Sequence, residues 1–348
     1  MSNYPIADLH CDLLCYLSGD VNRSPFDSAA RCSIDQLKEG NVKLQTMAIY
    51  TPTEVNSTLS GEAQVQCYSK LLRDYSNYFQ SYNSEIDLKT SEKISIQLAI
   101  ENGSAFFEEN ENLDLGFSRL NAIEKHVSKI QYLSFTWNSS NRFGGGAYEN
   151  KGITSDGIEL LHFLSQKEIA VDLSHSSDLL AYDILNEIDR RNIKISMIAS
   201  HSNARSVTNV TRNLPDELIK EIIGRNGIIG FNFVRNFLGK GDISNFSRHL
   251  DHFLSLGAEN NLCFGADFFY GLDVPIEHRK LPEDLFFPDY DHAGVYSKVI
   301  WLWKKYLNID NQLIEKISYK NLQIFLEQKN SKLHPKTQVH SVQTCKQI

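Results

Sequence analysis

Side chains that can bind metal ions recur along this chain at the ends of short apolar runs. His10 and Asp12 lie two residues apart at the end of the first run. Because alternate residues of a strand point to the same side, this imidazole and this carboxylate can converge on one ion, and both are good ligands for Zn²⁺. The pair alone is weak evidence, since such a spacing usually marks only a polar strand end. Later runs end with further candidates: Glu101, His175, His201 and Asp267.

The six side chains carry more weight together than singly. One histidine after an apolar strand is more often a hydrogen-bonded core residue than a ligand. Three histidines and three carboxylates exceed the needs of one tetrahedral ion, but they suit two ions that share a bridging carboxylate. A metal pair lowers the pKa of a bridging water and stabilises the oxyanion formed when that water attacks a carbonyl. The pattern therefore favours metal-dependent hydrolysis.

The elements that must position these side chains follow an alternating pattern. Apolar runs rich in β-branched residues are separated by longer segments with helical spacing, which predicts parallel strands with crossover helices. Eight strands are predicted, over 6–14, 43–51, 95–101, 130–137, 169–175, 195–201, 227–234 and 261–268. Eight strands in 348 residues favour a (β/α)8 TIM barrel over the doubly wound sheet that would also accommodate them. In a barrel all carboxyl ends open on one face, so the six side chains would surround one cavity.

The remaining segments complete one domain. Helices are predicted over 62–79, 213–223, 295–307 and 312–327, with a polar excursion over 83–92 and irregular loops over 138–157 and 269–294. The glycines of the loop 138–157 do not match a phosphate-binding motif. Since no repeat or linker divides the chain, we predict a single barrel domain over 1–328, followed by a tail over 329–348 that is poorly ordered unless it docks.

Composition narrows the range of partners. The chain carries 35 basic and 43 acidic residues, a net charge of −8, and contains no basic run that could follow a phosphate backbone, so we expect no nucleic-acid partner. We find neither a leader-like start nor an apolar span near the length of a membrane helix, so we expect a cytoplasmic protein with no membrane partner. The oligomeric state stays open, with a homodimer through exposed helices as the candidate assembly.

The six cysteines lack paired spacing and are expected to be reduced thiols. Cys11 and Cys15 lie near the candidate ligands in sequence. Cys11 should face away from His10 and Asp12 on an extended strand, which leaves thiolate ligation as the minor alternative.

Several of these segments resemble the membrane dipeptidase (renal dipeptidase) family of the amidohydrolase superfamily. The matching segments are 8–12 (DLHCD), the glutamate at 101, 172–175 (DLSH), 200–202 (SHS), 212–216 (RNLPD) and 265–268 (GADF). They occur in order, and the resemblance extends from residue 6 to about 328. It implies a (β/α)8 fold, two Zn²⁺ per chain, and hydrolysis of dipeptides with tolerance for a D-residue at the carboxyl-terminal position.

The resemblance also implies a division of the metal ligands. His10 and Asp12 would bind one zinc ion, and His175 and His201 would bind the other. Glu101 would bridge the two ions.

Two more residues receive roles from the same resemblance. Asp267 would take the proton from the bridging water and hand it to the leaving amine. Arg212 would grip the carboxylate of the substrate, for which a guanidinium fork is suited. The alternative for Arg212 is a surface residue that precedes a helix.

The chain departs from the family pattern at two places. Trp137 stands where a histidine steadies the oxyanion in better-known members, and an indole donates one hydrogen bond but cannot carry a proton. Oxyanion stabilisation would then rest on the metals or on Asn138. Phe269 and Tyr270 replace the usual aspartate and glycine after Asp267, which alters the loop beside the substrate pocket.

We therefore predict a metallo-dipeptidase that cleaves small dipeptides by attack of a metal-bridging hydroxide. One alternative keeps the barrel and metals but acts on another small amide, such as an N-acyl amino acid or a cyclic amide. Another is a metal-bound but catalytically idle homologue that binds a peptide or a protein.

Overall fold

The computed structural model describes residues 4–276, 279 and 285–331. Its centre is a closed barrel of eight parallel strands. The barrel strands are Ile6–Cys11 (β1), Val42–Tyr50 (β2), Ile94–Glu101 (β4), Ile130–Ser134 (β5), Ala170–Asp172 (β6), Met197–Ala199 (β7), Ile228–Phe231 (β8) and Leu262–Phe264 (β9). They follow the order β2-β1-β9-β8-β7-β6-β5-β4, and pairing of β2 with β4 closes the ring. This closure confirms the predicted (β/α)8 barrel and excludes the doubly wound sheet.

Helices surround the strands. They are Leu13–Ser18 (α1), Ile34–Glu39 (α2), Ser57–Asp74 (α3), Leu113–His126 (α4), Ser155–Lys167 (α5), Asp178–Arg191 (α6), Asp216–Gly224 (α7), Arg235–Leu238 (α8), Asn245–Ser255 (α9), Tyr296–Leu307 (α10), Asn311–Glu315 (α11) and Asn321–Ser331 (α12). Helix α7 begins after Pro215, with Asp216 and Glu217 in its first turn, where acidic side chains interact favourably with the helix dipole. It ends at Gly224, as the sequence predicted.

Helix α3 is displaced from the predicted segment 62–79. It begins at Ser57 because Thr58 donates both its backbone N–H (3.2 Å) and its hydroxyl (2.7 Å) to the Glu108 carboxylate, a tertiary contact that satisfies the first turn. It ends at Asp74, and Phe79–Ser81 forms an extra strand (β3) that pairs with the first residues of β4. Periodicity alone does not reveal such a contact.

The carboxyl-terminal helices cover the amino-terminal end of the barrel. The predicted helix 312–327 is divided into α11, a π-helical turn over Lys316–Lys320, and α12. Tyr319, Leu322 and Leu326 pack against apolar side chains of the barrel strands. The opposite end therefore remains open for a site.

Some predictions fall partly outside the described residues. The predicted loop 269–294 includes positions 277–278 and 280–284, and the predicted tail includes 332–348, all of which lie outside the described part. Helix α12 includes residues 329–331 of that tail. In the part of the chain that is described, no helix combines the length and the apolar character needed to cross a bilayer.

Candidate metal centre

The carboxyl ends of five strands bring the six predicted side chains together. Glu101 ends β4 and reaches two histidines with its two oxygens: Oε2 lies 2.9 Å from His10 Nε2, and Oε1 lies 2.9 Å from His175 Nε2. The same Oε1 lies 3.9 Å from His201 Nε2. Glu101 thus occupies the central position that a bridging carboxylate requires.

His175 and His201 face each other through Nε2 atoms that are 2.9 Å apart. His175 Nδ1 lies 2.9 Å from Asn138 Oδ1, an acceptor, so Nδ1 carries the proton. His201 Nδ1 lies 2.7 Å from the Ser200 hydroxyl, whose own proton is donated to an Asp172 oxygen. Both Nε2 atoms therefore present lone pairs to the same point.

A proton shared between the two Nε2 atoms does not account for their close approach, because both imidazoles are neutral. Burial, followed by the positive charge of Arg212, lowers the pKa of His175 to about 3. Burial also lowers the pKa of His201 well below its usual value. Two neutral imidazoles whose lone pairs converge at hydrogen-bond distance fit a metal ion, which accepts both lone pairs.

His10 is oriented in the same manner. The Tyr132 hydroxyl donates to the Leu9 carbonyl at 2.9 Å, so it accepts from His10 Nδ1 at 2.7 Å. His10 Nε2 then faces carboxylate oxygens of Glu101, of Asp12 at 3.6 Å and of Asp267 at 3.8 Å. Burial lowers the pKa of His10, but Tyr132 and Glu101 outweigh it and hold the pKa well above its usual value, so this nitrogen attracts positive charge.

The three carboxylates are crowded together in a buried space. Burial and the nearby Glu101 charge raise the pKa of Asp12 to about 6. Burial, with the charges of Asp12 and Glu101, raises the pKa of Asp267 to about 8. For Glu101, the attraction of His175 and His10 outweighs burial and keeps the pKa below its usual value. Such a cluster of buried acids and imidazoles is stabilised by bound cations.

Two overlapping groups of ligand atoms have the compactness that metal binding requires. His10, Glu101 and His201 form one group, and His10, Asp12 and Asp267 form the other, with the atoms of each group within 4.8 Å of one another. The buried atoms His10 Nε2 and Asp12 Oδ1 have no hydrogen-bond partner among the described residues. The donor set therefore fits a metal cofactor.

The backbone is strained where two of these side chains are presented. His175 has φ 67° and Asp267 has φ 63°, both in the left-handed region that residues other than glycine rarely adopt. Each such residue costs of order 1–3 kcal/mol, and such strain clusters at functional sites.

Asp8 holds the neighbouring strands in place, because its Oδ2 accepts from Ala266 N at 3.0 Å and from the Tyr296 hydroxyl at 2.7 Å.

Above the ligands lies a cavity of about 320 Å³. Aromatic and aliphatic side chains form much of its wall: Tyr50, Trp137, Tyr148, Val234, Phe237, Phe269, Tyr270, Val274 and Leu285. The Trp137 ring lies 6.0 Å from the His175 ring and 5.1 Å from the Tyr50 ring. The predicted departure at Trp137 is thus part of the cavity wall, and Asn138, also in the wall, uses its oxygen to orient His175.

Arg212 lies behind the metal ligands rather than on the protein surface. Its side chain donates to the Ser202 hydroxyl and to the His201 carbonyl, each at 3.1 Å. Its guanidinium carbon lies 5.2 Å from the Phe237 ring centre, and its buried Nε has no hydrogen-bond partner among the described residues. Because the residue is only 4% exposed, the surface-residue alternative is wrong. Phe237 lines the cavity, whereas Arg212 is not among the described residues of the wall.

The loop after Asp267 is held by contacts that the sequence did not predict. Tyr270 packs edge-on against Tyr16 with ring centres 5.4 Å apart. Asp273, also in the cavity wall, accepts from Arg23 Nη1 with both oxygens, at 2.8 and 2.9 Å. Tyr270 and Asp273 are therefore held against the segment that follows β1.

Two cysteines lie near the site. The Cys11 thiol contacts Met47 Sδ at 3.6 Å and so points away from the ligand cluster, as predicted. Cys15 lines the cavity, but burial and the Asp12 charge raise the pKa of its thiol well above the usual value. The five cysteines of the described part are all free.

The sequence profile of the family described as Membrane dipeptidase (Peptidase family M19) matches residues 1–330. The chain belongs to this family. This membrane dipeptidase family member is 28% identical over 272 residues to Dipeptidase 3 of Macaca fascicularis, a match that covers 73% of this chain and 52% of that protein. It is also 28% identical over 167 residues to an uncharacterised protein of Klebsiella pneumoniae, covering 44% of this chain and 59% of that protein.

The chain thus spans about half to three fifths of the length of these curated relatives.

Among solved structures, it is similar to a metallo peptidase from Rhodobacter sphaeroides that is liganded with a phosphinate mimic of the dipeptide L-Ala-D-Ala. The TM-score is 0.77 at 20% identity, with 94% of this chain and 100% of the other covered. This likeness supports the barrel fold.

Proposed function

We propose that this chain is a zinc-dependent dipeptidase. The observation that carries the proposal is the convergence of the His175 and His201 Nε2 atoms, 2.9 Å apart, beside a Glu101 carboxylate whose other oxygen contacts His10. Membership of the membrane dipeptidase family supports it. So does the Rhodobacter sphaeroides neighbour, which is liganded with a mimic of L-Ala-D-Ala, a dipeptide whose carboxyl-terminal residue is a D-residue.

We assign the ligands of the two ions as the family resemblance implies. His10 and Asp12 would hold one Zn²⁺, His175 and His201 the other, and Glu101 would bridge them. Two ions bound there would activate the attacking water and stabilise negative charge on the carbonyl oxygen.

Other residues would bind and orient the substrate. Arg212, with its unpaired Nε and its fork held by Ser202, is suited to a substrate carboxylate that approaches past Phe237. The aromatic wall around Trp137 would exclude water from the reacting amide. Asn138 acts through His175, because its oxygen accepts the Nδ1 proton and keeps Nε2 available as a ligand.

Asp267 is positioned to move the proton. Its Oδ1 lies 3.8 Å from His10 Nε2, whereas Oδ2 accepts from Asn232 Nδ2 at 2.9 Å, so the carboxylate is held at the edge of the ligand cluster. From there, ionised by the charge of bound cations, it would accept the proton of the attacking water and deliver it to the nitrogen of the leaving residue. The amide is then cleaved into two amino acids.

The test is hydrolysis of L-Ala-L-Ala, L-Ala-D-Ala and N-acetyl-alanine by chelator-treated protein before and after Zn²⁺ is restored. We expect cleavage of both dipeptides only with metal, and little cleavage of the acylated amino acid. Full activity in metal-free protein would refute the metal mechanism. Preference for the acylated substrate would instead support the alternative amidohydrolase.

Asp267→Asn separates an enzyme from an idle homologue. We expect kcat to fall by roughly 10²–10⁴-fold while zinc content is unchanged, because the amide cannot accept the proton. Asp273→Asn is the matched control, since this carboxylate lines the same cavity but is paired with Arg23, and its effect on kcat should stay below about tenfold. A wild-type protein that binds zinc but has no turnover would support the idle homologue.

A further inference from the structure

Tyr50 carries a hydroxyl group that the roles described so far do not use. It is the last residue of β2, where it pairs in register with Glu101 of β4. Its backbone is fixed by Gln64, whose side chain accepts from Tyr50 N at 3.0 Å and donates to Tyr50 O at 2.6 Å. Its ring packs against Trp137 at an angle of 58°. The side chain is therefore held firmly at the cavity wall.

The Tyr50 hydroxyl is buried and unpaired. The residue is 5% exposed, and its hydroxyl oxygen has no hydrogen-bond partner among the described residues. Burying a hydroxyl without a partner costs free energy that a phenylalanine at this position would not cost. Tyr50 lines the cavity above the metal ligands, so a substrate bound there is a candidate partner for the hydroxyl.

The surroundings keep this hydroxyl a donor. Burial, followed by the negative fields of Glu101, Cys15 and Asp12, raises the pKa of Tyr50 well above its usual value. The strand register places Tyr50 beside Glu101, and both residues line the cavity. The phenol is therefore protonated at any pH at which the protein would work.

Two other donors of the wall differ from Tyr50. Asn138 accepts from His175 through its oxygen and keeps only Nδ2 as a donor, and Tyr148 is 55% exposed at the rim. A donor stabilises developing charge best when it is buried, fixed and free of a competing partner. Tyr50 meets all three conditions.

We propose that Tyr50 donates a hydrogen bond to the carbonyl oxygen of the scissile amide as that oxygen gains negative charge. This role rests on the proposed dipeptidase function. When the water oxygen bonds to the carbonyl carbon, the electron pair of the C=O bond moves to oxygen, and the Tyr50 proton strengthens its hydrogen bond without being transferred. The proton that the leaving nitrogen needs comes through Asp267, so the balance of the reaction is unchanged.

The decisive variant is Tyr50→Phe, compared with wild type at full zinc occupancy. We expect kcat to fall roughly 30- to 300-fold with KM changed less than about threefold, because the bond forms mainly in the transition state. The affinity for a phosphinate mimic of L-Ala-D-Ala, whose tetrahedral oxygens stand in for the oxyanion, should fall by a similar factor. Zinc content should not change.

Tyr16→Phe is the matched control. Tyr16 also lies near the cavity, but its hydroxyl donates to Asp27 at 3.0 Å and it is not among the described residues of the wall. We expect kcat within about twofold of wild type and a lower melting temperature, since a made hydrogen bond is lost. Tyr50→Phe should leave the melting temperature equal or higher, which a structural role for its hydroxyl would not produce.

Each outcome has a distinct meaning. Wild-type turnover together with a Tyr50→Phe kcat or phosphinate affinity within threefold of wild type would overturn the role of Tyr50 and leave the proposed function intact. A change confined to KM would also overturn it, since the bond would then form in the ground state. A zinc-loaded wild type that cleaves no dipeptide would overturn the proposed function itself.

Discussion

Asp172 controls which nitrogen of His201 is free to bind metal. The Asp172 carboxylate is fully buried, and its Oδ1 accepts from the backbone N–H groups of Ser174 and Ser200 at 3.0 and 2.8 Å. Its Oδ2 accepts from the hydroxyls of Ser134 and Ser200, each at 2.6 Å. Because the Ser200 proton is committed to Asp172, the Ser200 oxygen must accept from His201 Nδ1.

Asp172→Asn should reverse this chain of hydrogen bonds. The amide oxygen can keep the two backbone N–H donors, but its NH₂ group then faces the two hydroxyls. Ser200 would accept from the amide and donate to His201 Nδ1, which moves the imidazole proton to Nε2 and blocks the lone pair beside His175. Loss of such an orienting partner typically weakens metal binding 10- to 100-fold, or about 1.4–2.7 kcal/mol.

The fold should survive the substitution. Burial raises the pKa of Asp172, which shows that the buried charge is itself costly, so exchange for a neutral amide loses charge-assisted bonds but also removes a desolvation penalty. We expect the free energy of unfolding to change by less than about 2 kcal/mol.

The assay is competition for Zn²⁺ with a chelator of known affinity, with circular dichroism as the check on folding. Ser134→Ala is the control, because it removes one donor to Oδ2 without reversing Ser200, and its Zn²⁺ affinity should stay within about threefold of wild type. The reasoning fails if Asp172→Asn binds Zn²⁺ as wild type does, or if Ser134→Ala loses as much affinity.

Three further substitutions test the binding of the substrate carboxylate, the burial of a lysine in helix α12 and the packing between neighbouring strands. Arg212→Lys keeps the charge but not the guanidinium fork, so KM should rise roughly 10- to 100-fold for a dipeptide and little for its carboxamide. An equal rise of KM for both substrates in steady-state kinetics would contradict the carboxylate-binding role of Arg212. Burial lowers the pKa of Lys329 to about 7, whereas the unfolded chain holds that proton up to about 10.5. Wild-type stability should therefore rise from pH 7 to pH 10, and Lys329→Met should flatten this rise and increase the melting temperature at pH 7; an unchanged slope in thermal unfolding across this range would refute the assignment. A Cβ at Gly230 would lie 1.9 Å from the Ser200 carbonyl oxygen, so Gly230→Ala should lower the free energy of unfolding by about 2 kcal/mol or more in chemical denaturation. Gly224→Ala is the control, because its Cβ meets nothing within 4 Å and the free energy of unfolding should change little. Equal effects of the two substitutions would contradict the packing argument.

Much of the barrel could be predicted because its signals are local. A buried parallel strand is a short apolar run, and the polar residue that ends it needs no distant information to be recognised. Glu101, His175 and His201 were predicted as neighbours because the parallel strands of a barrel end on one face, and the structure brings them within hydrogen-bonding distance. The family resemblance added Arg212, whose position before a helix carries no metal or substrate signal.

The partners that orient these groups depend on closure of the barrel. Tyr132 lies 122 residues from His10 and looks like an ordinary apolar strand residue, yet its hydroxyl decides which His10 nitrogen is free. Tyr50 is one of 15 tyrosines, and only the folded structure shows that its hydroxyl is buried without a partner among the described residues. Periodicity encodes which residues lie on a strand and which end it. The histidine tautomers, the convergence of the His175 and His201 lone pairs and the environment of the Tyr50 hydroxyl arise only when distant strands meet. Hydrogen-bond direction depends on atoms that the sequence places far apart.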